Sequence, residues 1–110
     1  EGRSITRQVP RVARAAFTPQ VDPNLICTLD YARSCVGKKD AIFLDVRSDG
    51  EWTGENRRSN KRGGHVPGAV HLEWLNFVTD DDVRVFKPAS ALRAMLEGAG
   101  ASPEREVITY

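Results

Sequence analysis

The run Ala41-Ile42-Phe43-Leu44-Asp45-Val46 constrains the fold most. An apolar stretch this short, with no polar alternation and with polar residues on both sides, reads as a strand covered on both faces. Such strands belong to mainly parallel sheets, because the crossovers that connect them lay helices over both surfaces. The neighbouring segments fit. Leu25, Leu29, Ala32 and Cys35 or Val36 recur at helical spacing, so a helix is predicted over about 24–36. Asp22 or Asn24 is its expected cap, and Gly37 its stop. Residues 48–54 read as a short helical turn, 55–64 as a polar loop, and 69–72 as a second short strand. Pro88 is placed as the first residue of a helix whose Leu92, Met95, Leu96 and Ala99 form one buried stripe. The β-branched run Glu106-Val107-Ile108-Thr109-Tyr110 reads as a third strand. This alternation of helices and strands predicts an α/β layer architecture with an open, mainly parallel sheet.

Length and composition bound the rest. The 110 residues fit one domain. Hydrophobic residues make up 40% and charged ones 28%, the balance of a globular chain rather than a disordered one. No apolar run approaches the ~20 residues a membrane helix requires. A net charge of +1 predicts no nucleic-acid partner. Two cysteines, Cys27 and Cys35, suggest neither a disulfide framework nor a zinc site, and a reducing, cytoplasmic setting is expected. No metal and no cofactor are predicted. Residues 1–23 carry Pro10, Pro19, Pro23 and four arginines (Arg3, Arg7, Arg11, Arg14) without a sustained period, and are read as an extended linker. Residues 24–110 are then the folded part. The chain opens without a start methionine or a signal-peptide core and closes on a strand, so it is read as a piece of a larger protein.

Two segments carry a family likeness. Leu44-Asp45-Val46-Arg47-Ser48-Asp49-Gly50-Glu51-Trp52-Thr53-Gly54 resembles the rhodanese strand-then-turn pattern, and Gly64-His65-Val66-Pro67-Gly68-Ala69-Val70 resembles that family's second motif. They occur in order, ahead of Phe86-Lys87-Pro88, a helix and the Val107-Ile108-Thr109-Tyr110 strand. The resemblance covers roughly residues 25–110 and is greatest to the second, catalytic repeat of tandem thiosulfate or 3-mercaptopyruvate sulfurtransferases. It implies a rhodanese-like sheet, an incomplete domain, and sulfur transfer through a cysteine persulfide. The cysteine is expected directly after Tyr110, and so lies outside this chain. The implied partners are a small anionic sulfur donor and either the remaining C-terminal part of the same domain or a preceding rhodanese repeat. Without that remaining part, one sheet face is expected to be bare and apolar.

The same resemblance assigns candidate residues. Asp45 and Arg47 would border the cysteine loop and fix its geometry; the plainer reading is an ion pair at a strand end. Glu51 falls where tandem thiosulfate enzymes often carry an arginine, so an acid there would repel thiosulfate; alternatively it caps the helical turn. Arg58, within the basic cluster Arg57, Arg58, Lys61 and Arg62, is the candidate for a substrate carboxylate, against the reading of a solvated charge run. Trp74 is placed as an aromatic wall of the cleft or as a core aromatic. His65 is read as structural, bonding a backbone turn shaped by Pro67 and Gly68, and His71 has still less to support a chemical role. Cys35 and Cys27 are read as small half-buried side chains rather than nucleophiles. A non-catalytic rhodanese-like binding module is the alternative function, and a related phosphatase, which needs a longer cysteine loop, is a third.

Overall fold

The computed structural model describes residues 5–110. Its centre is a three-stranded, all-parallel sheet in the order β2-β1-β3, with β1 at Ala41–Asp45, β2 at Val70–His71 and β3 at Glu106–Thr109. Every residue of β1 is buried, the apolar Ala41–Leu44 as their character requires and Asp45 at the carboxyl end with them. Its side chains alternate between two layers. Phe43 and Ala41 point to one face, where Cys35 and Ile108 complete a small core with Ala32, Val66, Ala69 and Tyr110 around it. Ile42 points to the other, towards Gly100. Helix α1 (Leu29–Cys35) therefore covers one face, and the segment that follows α3 (Ala89–Gly98) covers the other.

Helix α1 is shorter than the periodicity predicts. Pro23 opens a separate 3-10 turn over Pro23–Leu25, whose first turn is capped by the Asp22 carboxylate accepting from Asn24 N at 2.9 Å. Ile26 is then extended, and Thr28 becomes the true cap, its hydroxyl accepting from Tyr31 N at 3.2 Å. Spacing alone merges these pieces because Leu25 and Leu29 are one helical period apart, although both are exposed. Pro88 stands one residue outside α3, as its N-cap.

The remaining differences concern burial. Cys35 is fully buried and not half-buried, whereas Cys27 is exposed, with its thiol 3.4 Å from the Thr28 carbonyl. In β3 only Ile108 is buried, because β3 forms an edge of the described sheet. Beside it an apolar groove of about 500 Å³ stays open between α3 and β3, lined by Leu92, Leu96, Ala101, Pro103 and Val107 among others. The stripe of α3 is correspondingly only half-buried. Residues 5–22 form no helix or strand and are exposed throughout. Arg3 and the rest of positions 1–4 of the predicted linker lie outside the described residues. Among the described residues no helix is long and apolar enough to cross a membrane.

Candidate active site at the carboxyl end of the sheet

In open parallel sheets, ligands bind beyond the carboxyl ends of the strands. Here those ends bring together Asp45 on β1, His71 on β2 and Tyr110 directly after β3. Asp45 is wholly inaccessible. A buried carboxylate is tolerated only when it is paired and hydrogen-bonded, and Arg47 provides both. Its Nε donates to Asp45 Oδ1 at 2.9 Å, its Nη2 to Oδ2, and its backbone N to Oδ1 at 3.0 Å. Burial alone pushes the Asp45 carboxyl up; the Arg47 donors and the nearby Tyr110 phenol outweigh it and hold it below its ordinary value.

The same guanidinium reaches two further groups. Nη2 also donates to the Gly64 carbonyl at 2.9 Å, tying the strand end to the second motif. Its central carbon lies 4.9 Å from the centre of the Tyr110 ring. The Arg47 carbonyl accepts from His71 Nε2 at 2.8 Å, and the other ring nitrogen of His71 lies 3.5 Å from Asp49 Oδ1. Tyr110 is held in turn by its hydroxyl, which accepts from Val66 N at 2.9 Å, and by its carbonyl, which accepts from Val46 N at 3.1 Å.

Helix α2 (Asp49–Thr53) carries the next layer. Glu51 binds Arg58 through both oxygens, with Nε at 2.7 Å from Oε1 and Nη2 at 3.1 Å from Oε2, and accepts from Ser48 Oγ at 2.7 Å. These donors, Arg58 foremost, bring its carboxyl down to about 2, so it is ionised at neutral pH. The acid read as facing a donor thus shares its charge with the arginine read as binding one. Arg58 holds a left-handed backbone, φ 46°, with its N donating to Asn56 Oδ1 at 3.0 Å.

Trp52 on the same helix stacks on His65 at 3.4 Å between ring centres and on His71 at 5.0 Å. His65 Nδ1 is 2.9 Å from the Trp52 carbonyl, so this imidazole bonds backbone. Helix α2 ends at Gly54, φ 87°, whose backbone presses on Gly63 and Gly64 so closely that a Cβ on it would lie 2.8 Å from Gly64 N. That contact delivers the Gly64 carbonyl to Arg47. Trp74 opens a 3-10 turn, Trp74–Phe77, and its N donates to Val46 O at 3.0 Å; its side chain is half exposed.

The structure therefore gathers Asp45 and Arg47 into one network, with Glu51 near enough to favour the charged form of Arg47. Arg58 joins through Glu51, and Trp74 through its backbone. Trp52 and Tyr110 stand in the family-like segments without an assigned role, and His71 has little in the sequence to support one, because the partners of all three lie in other elements. Chemically the network orients and neutralises. Neither described cysteine belongs to it: Cys35 packs against Ala41 and Phe43, in the core, and Cys27 lies on the surface. Among the described residues, no three His, Cys, Asp or Glu side chains converge to hold a metal ion.

The rhodanese-like domain profile matches residues 28–110. The chain belongs to the rhodanese-like family. Among curated relatives, this rhodanese-like chain is 30% identical to a thiosulfate sulfurtransferase of Azotobacter vinelandii over 110 residues, covering all of the chain and 40% of that protein. It is 28% identical to the thiosulfate sulfurtransferase of Pseudomonas aeruginosa, with the same coverage. It is 30% identical over 122 residues to the sulfur carrier protein TtuD of Thermus thermophilus, covering 42% of it. The chain thus spans about two fifths of the length of these relatives.

Proposed function

We propose that the protein is a sulfurtransferase, moving sulfane sulfur from thiosulfate or 3-mercaptopyruvate to a thiophilic acceptor through a cysteine persulfide. The observation that carries this reading is the buried Asp45 paired with Arg47 at the carboxyl end of the sheet beside Tyr110, in a chain matched end to end by thiosulfate sulfurtransferases. The nucleophile of this reading is a cysteine directly following Tyr110. Its thiolate attacks the outer sulfur of the donor, the donor's bond to that sulfur breaks, and sulfite (from thiosulfate) leaves with the electron pair. The acceptor, cyanide or a thiol, then attacks the persulfide's outer sulfur and regenerates the thiolate.

In this scheme Asp45 and Arg47 support the cysteine loop from beneath, Glu51 sets the position and charge of Arg58, Arg58 meets the anionic donor, and Trp74 walls the cleft. Residues 1–23 act as the linker to what precedes the domain, and the reaction takes place in a reducing compartment.

The test reads the codon after Tyr110 and assays the encoded protein for thiocyanate formation from thiosulfate and cyanide, and for sulfide or pyruvate release from 3-mercaptopyruvate with a thiol. A cysteine codon and turnover with either donor are expected. A different residue there, with no turnover, would replace this reading by that of a non-catalytic binding module.

A further inference from the structure

Tyr110 is the point where three otherwise separate pieces of chain meet. Its backbone continues the β1–β3 ladder by two bonds, N donating to Leu44 O at 3.4 Å and O accepting from Val46 N at 3.1 Å. Its ring lies under the Arg47 guanidinium. Its hydroxyl takes the Val66 N–H of the second motif at 2.9 Å. A phenol is suited to this: one end packs on a cation and a core while the other accepts and donates at once. Phenylalanine keeps the first property and loses the second; leucine loses both.

We infer that Tyr110 is a positioning residue, its ring on Arg47 and its hydroxyl on Val66 N tying the Asp45–Arg47 pair and the Gly64–Gly68 turn to the exit of β3, so that the backbone leaving β3 emerges in one orientation. This rests on the sulfurtransferase reading, in which the next residue carries the reacting sulfur. The strand end and the turn set the geometry of a main-chain exit only if something rigid joins them to it, and among the described residues the Arg47 guanidinium bonds Asp45 and Gly64 while its face packs on the Tyr110 ring. Removing the hydroxyl frees the Val66 N–H while leaving the ring stack on Arg47 intact.

The experiment compares wild type, Tyr110→Phe and Tyr110→Leu in the protein as its gene encodes it, reading kcat, KM for thiosulfate and the melting temperature. For Tyr110→Phe the expected result is kcat lowered roughly tenfold to a hundredfold, the scale of a small misplacement of reacting groups, with KM within about twofold of wild type and a melting temperature moved by only a few degrees. Tyr110→Leu should lose further kcat. Wild-type kcat in Tyr110→Phe overturns the proposal, as does a parallel loss of kcat and melting temperature, which would make the phenol merely structural. A wild type that moves no sulfur from any donor sinks the sulfurtransferase reading itself, and the inference with it. Activity in wild type with an indifferent Tyr110→Phe sinks the inference alone.

Discussion

Arg58 lies across Glu51 with two nitrogens on two oxygens, at 2.7 and 3.1 Å, and so ties an exposed basic loop to an acidic helix through one neutral pair. The pairing is bidentate, the geometry that gives an arginine–carboxylate pair direction as well as charge. It also holds residue 58 in a left-handed backbone that a side chain rarely adopts.

Arg58→Ala should therefore act on donor binding more than on chemistry. With the guanidinium gone, Glu51 keeps only the Ser48 hydroxyl and presents an unbalanced negative charge. KM for thiosulfate or 3-mercaptopyruvate is expected to rise about tenfold, and the rise should shrink as salt screens the carboxylate. Steady-state kinetics at low and high ionic strength check this; an unchanged KM assigns Arg58 to the solvated surface.

Acid should weaken the fold through Asp45. Its carboxyl is depressed below the ordinary 3.8, so the folded state binds its proton less readily than the unfolded chain does. The stability it contributes is fully present above that ordinary value and is lost as pH falls through the lower folded value. Urea unfolding from pH 7 to 2 should show a larger loss in wild type than in Asp45→Asn, where Glu51 and the other depressed carboxylates still titrate. At pH 7 that variant, which leaves Arg47 without its charge partner, should be less stable by about 3–5 kcal/mol.

Gly54 and Gly37 separate conformational cost from crowding. Both have positive φ, 87° and 81°, but a Cβ at Gly37 meets nothing within 4 Å, whereas one at Gly54 lies 2.8 Å from Gly64 N. Gly37→Ala should cost about 1 kcal/mol, the left-handed penalty alone. Gly54→Ala should cost that plus about 1–3 kcal/mol of overpacking, and should also lower activity by displacing the Gly64 carbonyl from Arg47. Denaturant midpoints of the two variants give the comparison; equal midpoints would falsify the tight contact.

The two cysteines should differ in reactivity. Cys27 is exposed and Cys35 is buried in the core cluster. Iodoacetamide under native conditions is expected to modify Cys27 at the rate of a free thiol and to leave Cys35 untouched until denaturant is added. Peptide mass spectrometry after timed quenching distinguishes them.

What the sequence determined by itself was whatever depends on neighbours along the chain. The apolar run at Ala41–Leu44 made β1 buried and parallel, the Leu92, Met95, Leu96, Ala99 period made α3, and the Asp45-Arg47 and Gly64-Gly68 motifs located the end of the sheet that matters. Only the tertiary structure decided which side chains meet there. Helix periodicity ran through Leu25 because it registers spacing, not the turn that Pro23 and Thr28 impose. Cys27 and Cys35 look alike in sequence, yet Cys35 ends a helix against Phe43 and Cys27 is exposed. Arg58 reaches back seven positions to Glu51, and Tyr110 reaches back forty-four to Val66. Such contacts depend on strand order and register, which are set by the packing of the whole sheet and leave no local pattern in the chain.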